Sequence, residues 1–280
     1  MKTVKDIYHH FREMYYEQLR NDLRLVLKPT HSPKVDFLGC GAQKSGTTAL
    51  DRYLRQHQAI CLPERKEIHY FDIEYNFRFP KMDYSKYHSF FNIEPHHKIA
   101  GEVTPLYMYW YSAPRRIWEY NPEMKLIIIL RNPIKRAYSH WNMQRERGYE
   151  TLSFLDAIAE EETRRRESLP YQNRRFSYLD RGFYTDQIKR LRTYFPANQV
   201  LLIKSEILRE DPKQILDQIA NFLDIPINDN FSKLDVHSRN YESPLDQETH
   251  KVLLDLYLYE IKEIEKLTSW DCRDWLVQEA

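Results

Sequence analysis

The chain has 280 residues, 42% of them hydrophobic and 14% aromatic, which is ample for a sizeable core and excludes a disordered polypeptide. Lys and Arg number 42 against 41 Asp and Glu, a formal net charge of +1, whereas a protein built to grip duplex nucleic acid is far more basic. The longest uninterrupted aliphatic run, residues 126–130, falls far short of the ~20 residues that cross a bilayer, so no transmembrane segment is expected.

In chain order, residues 4–27 place Ile7, Phe11, Tyr15 and Leu19 at near-helical spacing. They predict an amphipathic N-terminal helix docked on the body, with a membrane-surface role as the second reading. The first dozen residues lack the apolar stretch of a signal peptide. Pro29 and Pro33 break the helix, and residues 35–39 read as a short buried strand followed by a helix over 46–57. A strand ends near Val103, and residues 124–130 form the clearest buried strand, bounded by Asn121-Pro122 and Asn132-Pro133. Residues 200–204 are a further buried strand. Helical patterns cover 134–147, 152–166, 183–194, 212–223 and 253–267. Strands alternating with helices predict an α/β fold with a parallel sheet covered on both faces. No repeat or linker interrupts the chain, so residues 1–280 read as one domain. Cys40, Cys61 and Cys272 have neither disulfide nor zinc spacing, and predict a reducing, cytoplasmic setting.

Three of the six glycines, Gly39, Gly41 and Gly46, fall within eight residues. They lie in VDFLGCGAQKSGTTAL, residues 35–50, a strand–loop–helix segment whose loop amides and helix dipole favour a phosphate-like anion. The interval from Gly41 to Gly46 matches the nucleotide P-loop frame, but Thr47 stands where a Walker loop has lysine, and the lysine comes earlier, at Lys44. The best buried strand ends in Arg131, where a P-loop hydrolase usually has a magnesium-holding Asp. Arg131 can fork onto a phosphate without metal. The pattern therefore predicts an anion cradle with no metal requirement.

GAQKSGTTAL resembles the 5′-phosphosulfate loop of sulfotransferases that use 3′-phosphoadenosine 5′-phosphosulfate (PAPS), and LRNPIKRAYSHW, residues 130–141, resembles their 3′-phosphate segment. KEIHYFD (66–72), GEVTPLY (101–107) and the stretch 181–208 are similar to the heparan sulfate N- and O-sulfotransferase branch, so the chain resembles a bacterial-type member of it. The resemblance covers roughly residues 35–225. It implies a single α/β domain with a five-stranded parallel sheet flanked by helices, related to P-loop nucleotide kinases. Residues 1–34 would be a helical extension and 226–280 a C-terminal loop and helix.

The resemblance also implies roles. Lys44 would meet the leaving oxygen; Ser45, Gly46, Thr47 and Thr48 would cradle the 5′-phosphate; Arg131 and Ser139 would hold the 3′-phosphate; and Arg239 would belong to a basic loop closing over the donor. The product would be adenosine 3′,5′-bisphosphate. Glu67 matches the general base of the glycan branch. Glu67 and His69 are two apart, so on a short strand both would face one way and either could take the acceptor's proton; the resemblance favours Glu67. Val103 replaces a lysine of the glycan enzymes that helps meet a polyanionic acceptor, which argues against a heparan-like substrate. The acceptor itself stays open among glycan, lipid, small metabolite and carrier-tethered intermediate. EEETRRRE, residues 160–167, reads as a solvated helix face or, second, an acceptor-steering patch, and the aromatic stretch 107–118 as core or acceptor pocket. The rival functions are a P-loop small-molecule kinase and a non-catalytic nucleotide-sensing module.

Overall fold

The computed structural model describes residues 34–78, 82–234 and 245–277. The expected N-terminal helix over 4–27 and Arg239 lie outside these residues. The described chain runs β1 (Phe37–Gly41), α1 (Thr47–Leu54), β2 (Ile60–Cys61), α2 (Ser85–His88), β3 (Ile99–Val103), α3 (Ala113–Tyr120), β4 (Lys125–Leu130), α4 (Pro133–Glu146), α5 (Phe154–Ala159), α6 (Glu161–Glu167), α7 (Tyr184–Arg192), β5 (Val200–Lys204), α8 (Ser205–Glu210), α9 (Pro212–Leu223) and α10 (Gln247–Thr268).

The five strands form one parallel sheet in the order β2-β3-β1-β4-β5. Phe37 of β1 lies opposite Gly101 on one side and Lys125 on the other, and Leu126 opposite Val200. Strand β4 shows why the sheet is covered twice. Leu126, Ile128 and Leu130 join the apolar cluster with Ile134 and Ala137 of α4, Ile188 of α7 and Tyr257 of α10. Ile127 and Ile129 join the opposite cluster with Leu50 of α1 and Ile215 and Ile219 of α9. Side chains alternate along a strand, so an unbroken apolar run feeds two cores. The chain leaves β1 toward β3 and β2, then crosses to β4 and β5. The C-terminal ends of β1, β3 and β4 thus share one edge of the sheet, where the strand order reverses and open α/β sheets bind ligands.

Two expectations are corrected. The helix expected over 152–166 is two helices. Ser153 caps α5 through the Asp156 amide at 3.2 Å, and Glu161 then turns inward to accept from the Leu179 and Asp180 amides at 2.7 and 2.9 Å, which redirects the chain into α6. Glu161 is therefore buried rather than part of a solvated face, and burial lifts its carboxyl to about 7. The last helix begins six residues before the expected 253, because Asp246 caps it by accepting from the Thr249 amide at 2.8 Å.

Candidate active site

The loop after β1 is shaped by two glycines. A Cβ on Gly41 would come within 2.6 Å of Met108 Sδ, and the Met108 amide donates to the Cys40 carbonyl at 2.8 Å, so only glycine lets these two segments meet. Gly46 enters α1 at φ +103°, a left-handed conformation suited to glycine, and no side chain caps the helix. Lys44 also takes a left-handed φ of 72°, which for a side-chain-bearing residue costs about 1 kcal/mol or more. The start of α1 thus presents its amides, not a capping carboxylate or hydroxyl, to whatever lies in front of it.

Arg131 follows β4 and is fixed from both sides. Asn132 caps α4, its Oδ1 accepting from the amides of Ile134 and Lys135 at 2.9 and 3.2 Å, with Pro133 in the first helical turn. The Tyr184 hydroxyl donates to the Arg131 carbonyl at 2.8 Å, and Arg131 Nη1 donates to the Lys44 carbonyl at 3.2 Å. The end of β4 is therefore bonded directly to the glycine-rich loop. Ser45 Oγ, buried beside the Tyr184 hydroxyl, and Arg131 Nε have no hydrogen bond of good geometry among the described residues. Buried polar atoms cost free energy unless paired. An anion with several acceptor oxygens fits both the exposed loop amides and these atoms. Ser139, buried on α4, lies about two turns past Arg131.

Glu67 and His69 come together, but not on a strand. Both have left-handed φ, 62° and 58°, so the segment is a loop. Its shape is imposed from β3: the Glu67 amide donates to the Val103 carbonyl at 3.2 Å and the Ile68 amide to Glu102 Oε2 at 3.3 Å. The Tyr70 amide donates to the Tyr107 hydroxyl at 2.9 Å. Glu102 is fully buried and also accepts from Thr104, Tyr87 and Tyr107 hydroxyls at 2.6, 3.0 and 2.8 Å, so this carboxylate organises the loop from below. The Val103 side chain is fully buried in the apolar cluster under α1. Position 103 is thus a core position in this chain, where an apolar side chain packs under α1.

In the loop, Glu67 Oε1 accepts from Lys66 Nζ at 2.5 Å, and Glu67 Oε2 lies 3.6 Å from His69 Nε2. His69 Nδ1 is 2.9 Å from Asp72 Oδ2, and Arg174 Nη1 donates to the same oxygen at 2.8 Å while its other terminal nitrogen donates to the Asp72 carbonyl. Burial opposes ionisation of Glu67, but the His69 and Lys66 contacts outweigh it and hold the carboxyl down at about 2. Burial likewise disfavours charged His69, yet Asp72 first, then Glu67, lift it to about 9. At neutral pH the loop therefore carries an ionised carboxylate steadied by an imidazolium.

The two halves of the site are joined. Arg181, buried, donates through Nη1 to Gln43 of the glycine-rich loop at 2.5 Å and through Nη2 to the Arg174 carbonyl at 2.7 Å. A continuous path runs from Gln43 through Arg181, Arg174, Asp72 and His69 to Glu67. Sequence reasoning missed Gln43, Glu102, Asp72, Arg174 and Arg181. Asp72 stands three residues after His69 and could have been found; Arg174 lies 102 positions from its partner and had no signal.

The sulfotransferase domain family matches residues 34–267. The chain is 30% identical over 208 residues to the human bifunctional heparan sulfate N-deacetylase/N-sulfotransferase 3, covering 70% of this chain and 23% of that protein. It is 29% identical over 229 residues to the human heparan sulfate glucosamine 3-O-sulfotransferase 5, covering 81% of this chain and 62% of that one. This chain thus spans under a quarter of the length of the N-deacetylase/N-sulfotransferase relative. A solved sulfotransferase from Alicyclobacillus acidocaldarius superposes with a TM-score of 0.73 at 27% identity, covering 87% of this chain and 99% of that one.

Proposed function

The chain belongs to the sulfotransferase domain family, and on that premise we propose that it transfers a sulfuryl group from PAPS to a hydroxyl or amine of an acceptor by in-line displacement. The observation that carries this reading is the bonded path from the anion loop to an ionised Glu67. PAPS, when bound, supplies the sulfuryl group and a leaving 5′-phosphate.

The protein supplies positioning and charge. The amides of Gly46, Thr47 and Thr48, with the hydroxyls of Ser45, Thr47 and Thr48, would hold the 5′-phosphate. Lys44 would stabilise the charge that develops on the leaving oxygen. Arg131 and Ser139 would hold the 3′-phosphate. Glu67 is the general base. A carboxylate held at about 2 is a weak base toward a free alcohol, so it accepts the proton late, once bond formation has made that proton strongly acidic. His69, protonated and braced by Asp72, orients Glu67. Arg131 in place of a metal-holding carboxylate supports a site that needs no divalent cation. We infer further that residues 35–225 form the donor-binding core and 226–280 its closing loop and helix. Buried free thiols at Cys40, Cys61 and Cys272 favour a reducing cytoplasm. Among the described residues no helix is long and apolar enough to cross a membrane.

Arg131→Ala is expected to weaken adenosine 3′,5′-bisphosphate binding by about 1.5–3 kcal/mol, the scale of a charge-assisted hydrogen bond. ADP, lacking the 3′-phosphate, binds the wild type much less well. Equal affinity for the two nucleotides in calorimetry would overturn the assignment of Arg131.

The pH profile separates the two candidate bases. His69 is raised above its ordinary value, so its stabilising contribution is fully present below about 6.5 and is lost as pH rises through about 9. Glu67 is depressed, so its contribution holds above the ordinary carboxylate range and is lost as pH falls through about 2. With Glu67 as base the rate is flat through neutral pH and falls as pH rises through about 9, when His69 loses its proton. A rate that instead climbs through about 9 makes neutral His69 the base.

A further inference from the structure

Arg181 is 2% exposed, and among the described residues its guanidinium bonds no carboxylate. Nε donates to the Ser177 hydroxyl at 2.8 Å, Nη1 to Gln43 Oε1 at 2.5 Å, and Nη2 to the Asn173 and Arg174 carbonyls at 3.4 and 2.7 Å. All of these acceptors are neutral. Other inward arginines are paired: Arg116 with Glu74, Arg164 with Glu150 at 2.5 Å and Arg174 with Asp72 at 2.8 Å. A buried charge is costly unless hydrogen bonds and an opposite charge meet it. At Arg181 the protein supplies the hydrogen bonds alone.

The surroundings add positive charge. Among the described residues the side chain of Arg136, fully buried on α4, donates only to the Tyr178 carbonyl, and its Nε and Nη1 have no hydrogen bond. The Asp180 carboxylate is taken by Arg165 at 3.2 Å and by the Tyr109 hydroxyl at 2.7 Å. Glu161 gives its two oxygens to the Leu179 and Asp180 amides, and with its carboxyl at about 7 it is only partly ionised at neutral pH. Burial, then the charges of Arg181, Arg136 and Lys44, hold His140 of α4 well below the usual imidazole range. Burial lowers Arg181 itself to about 10; Arg136 and Arg174 push the same way, against Tyr109 and Asp180, and the group stays charged.

The one hydrogen bond of this guanidinium outside residues 173–177 goes to Gln43, which precedes Lys44 in the glycine-rich loop. The charge of Arg181 therefore stands one side chain behind the loop, and an anion seated on the loop would meet it.

We propose that Arg181 is a positioning residue for the 5′ end of the donor: acting through Gln43, its charge strengthens the hold of the glycine-rich loop on the 5′-phosphate, and the bound donor serves as its counter-ion. The proposal rests on the sulfotransferase reading above and adds a residue that acts through another.

The test uses the full chain, with binding of adenosine 3′,5′-bisphosphate and of adenosine 3′-monophosphate measured by calorimetry at about pH 6.5, where a buried lysine keeps its proton. Arg181→Lys keeps the charge and loses the planar fork, whereas Arg181→Met loses both. Bisphosphate affinity is expected to fall about tenfold or more in Arg181→Met, the scale of one charge acting across a single side chain, and to stay within about threefold of the wild type in Arg181→Lys. Affinity for the 3′-monophosphate, which lacks the group held at the loop, should change by less than about twofold in either variant. Equal losses in the two variants, or equal losses for the two nucleotides, would make Arg181 a structural residue and overturn the proposal. Unchanged bisphosphate affinity in Arg181→Met also overturns it.

Gln43→Glu decides the matter even where Arg181→Met does not fold. A carboxylate at position 43 gives Arg181 its opposite charge, so the nucleotide-free protein should melt about 2 °C higher or more while bisphosphate binding weakens. An unchanged or lower melting temperature overturns the proposal. A wild type that binds the bisphosphate no more tightly than the 3′-monophosphate would instead sink the reading of the glycine-rich loop as the 5′-phosphate cradle, so the two failures are distinguishable.

Discussion

Glu67→Gln is expected to lower sulfuryl transfer by ~10²–10⁴, the range for removing a positioned general base, while adenosine 3′,5′-bisphosphate binds as in the wild type. The substitution keeps the side chain's size and removes its charge. Glutamine cannot accept the acceptor's proton, and it leaves Lys66 and His69 without the carboxylate each now faces. Without Glu67, His69 keeps only Asp72 to hold its proton, so its pKa should fall from about 9. A chemical-shift titration of the His69 ring in the variant reads that change independently of turnover. Full turnover in Glu67→Gln together with its loss in His69→Ala would transfer the base to His69.

Lys44→Ala should lower turnover by roughly 10²–10³, the scale of removing one donor aimed at developing charge. The loss should fall on kcat more than on bisphosphate affinity, because on this proposal the amides of residues 46–48 and Arg131 would still hold the phosphates. The left-handed φ of 72° at Lys44 makes alanine as strained there as lysine, so backbone relief does not confound the comparison. Steady-state kinetics with the donor varied reads the split. An equal loss in donor affinity and none in kcat would make Lys44 a ground-state binding residue only.

Much of this architecture was legible in the residues. The unbroken run 126–130 announced a strand buried on both faces, and the strand at 200–204 and the helix at 212–223 fall where they were read. The glycine-rich loop was legible because Gly41 and Gly46 solve backbone problems that other residues cannot. Strand β2, two residues long, was missed because so short a run carries no period. Helix α3 was hidden inside an aromatic stretch whose rings drew attention from its Pro at the N-terminal turn. The loop of Glu67 and His69 was misread as a strand because its conformation is dictated by Glu102, Val103 and Tyr107, more than 30 positions away. The braces Arg174 and Arg181 come from an irregular segment whose sequence has no periodic signal. Local chemistry showed the glycine-rich loop; the long-range bonds that join it to Glu67 left no local signal.

A two-ended donor site that meets charge with Lys44, Arg131 and backbone amides would need no divalent cation. The most direct measurement is the thermal unfolding of the purified chain with adenosine 3′,5′-bisphosphate or ATP, each in excess EDTA and in excess magnesium. A ligand that binds only the folded state raises its stability by mass action. The bisphosphate should raise the melting temperature equally in EDTA and in magnesium, and ATP should raise it much less in either. Strong stabilisation by ATP that requires magnesium, with none by the bisphosphate under either condition, would rule out such a donor site and make the chain a P-loop kinase.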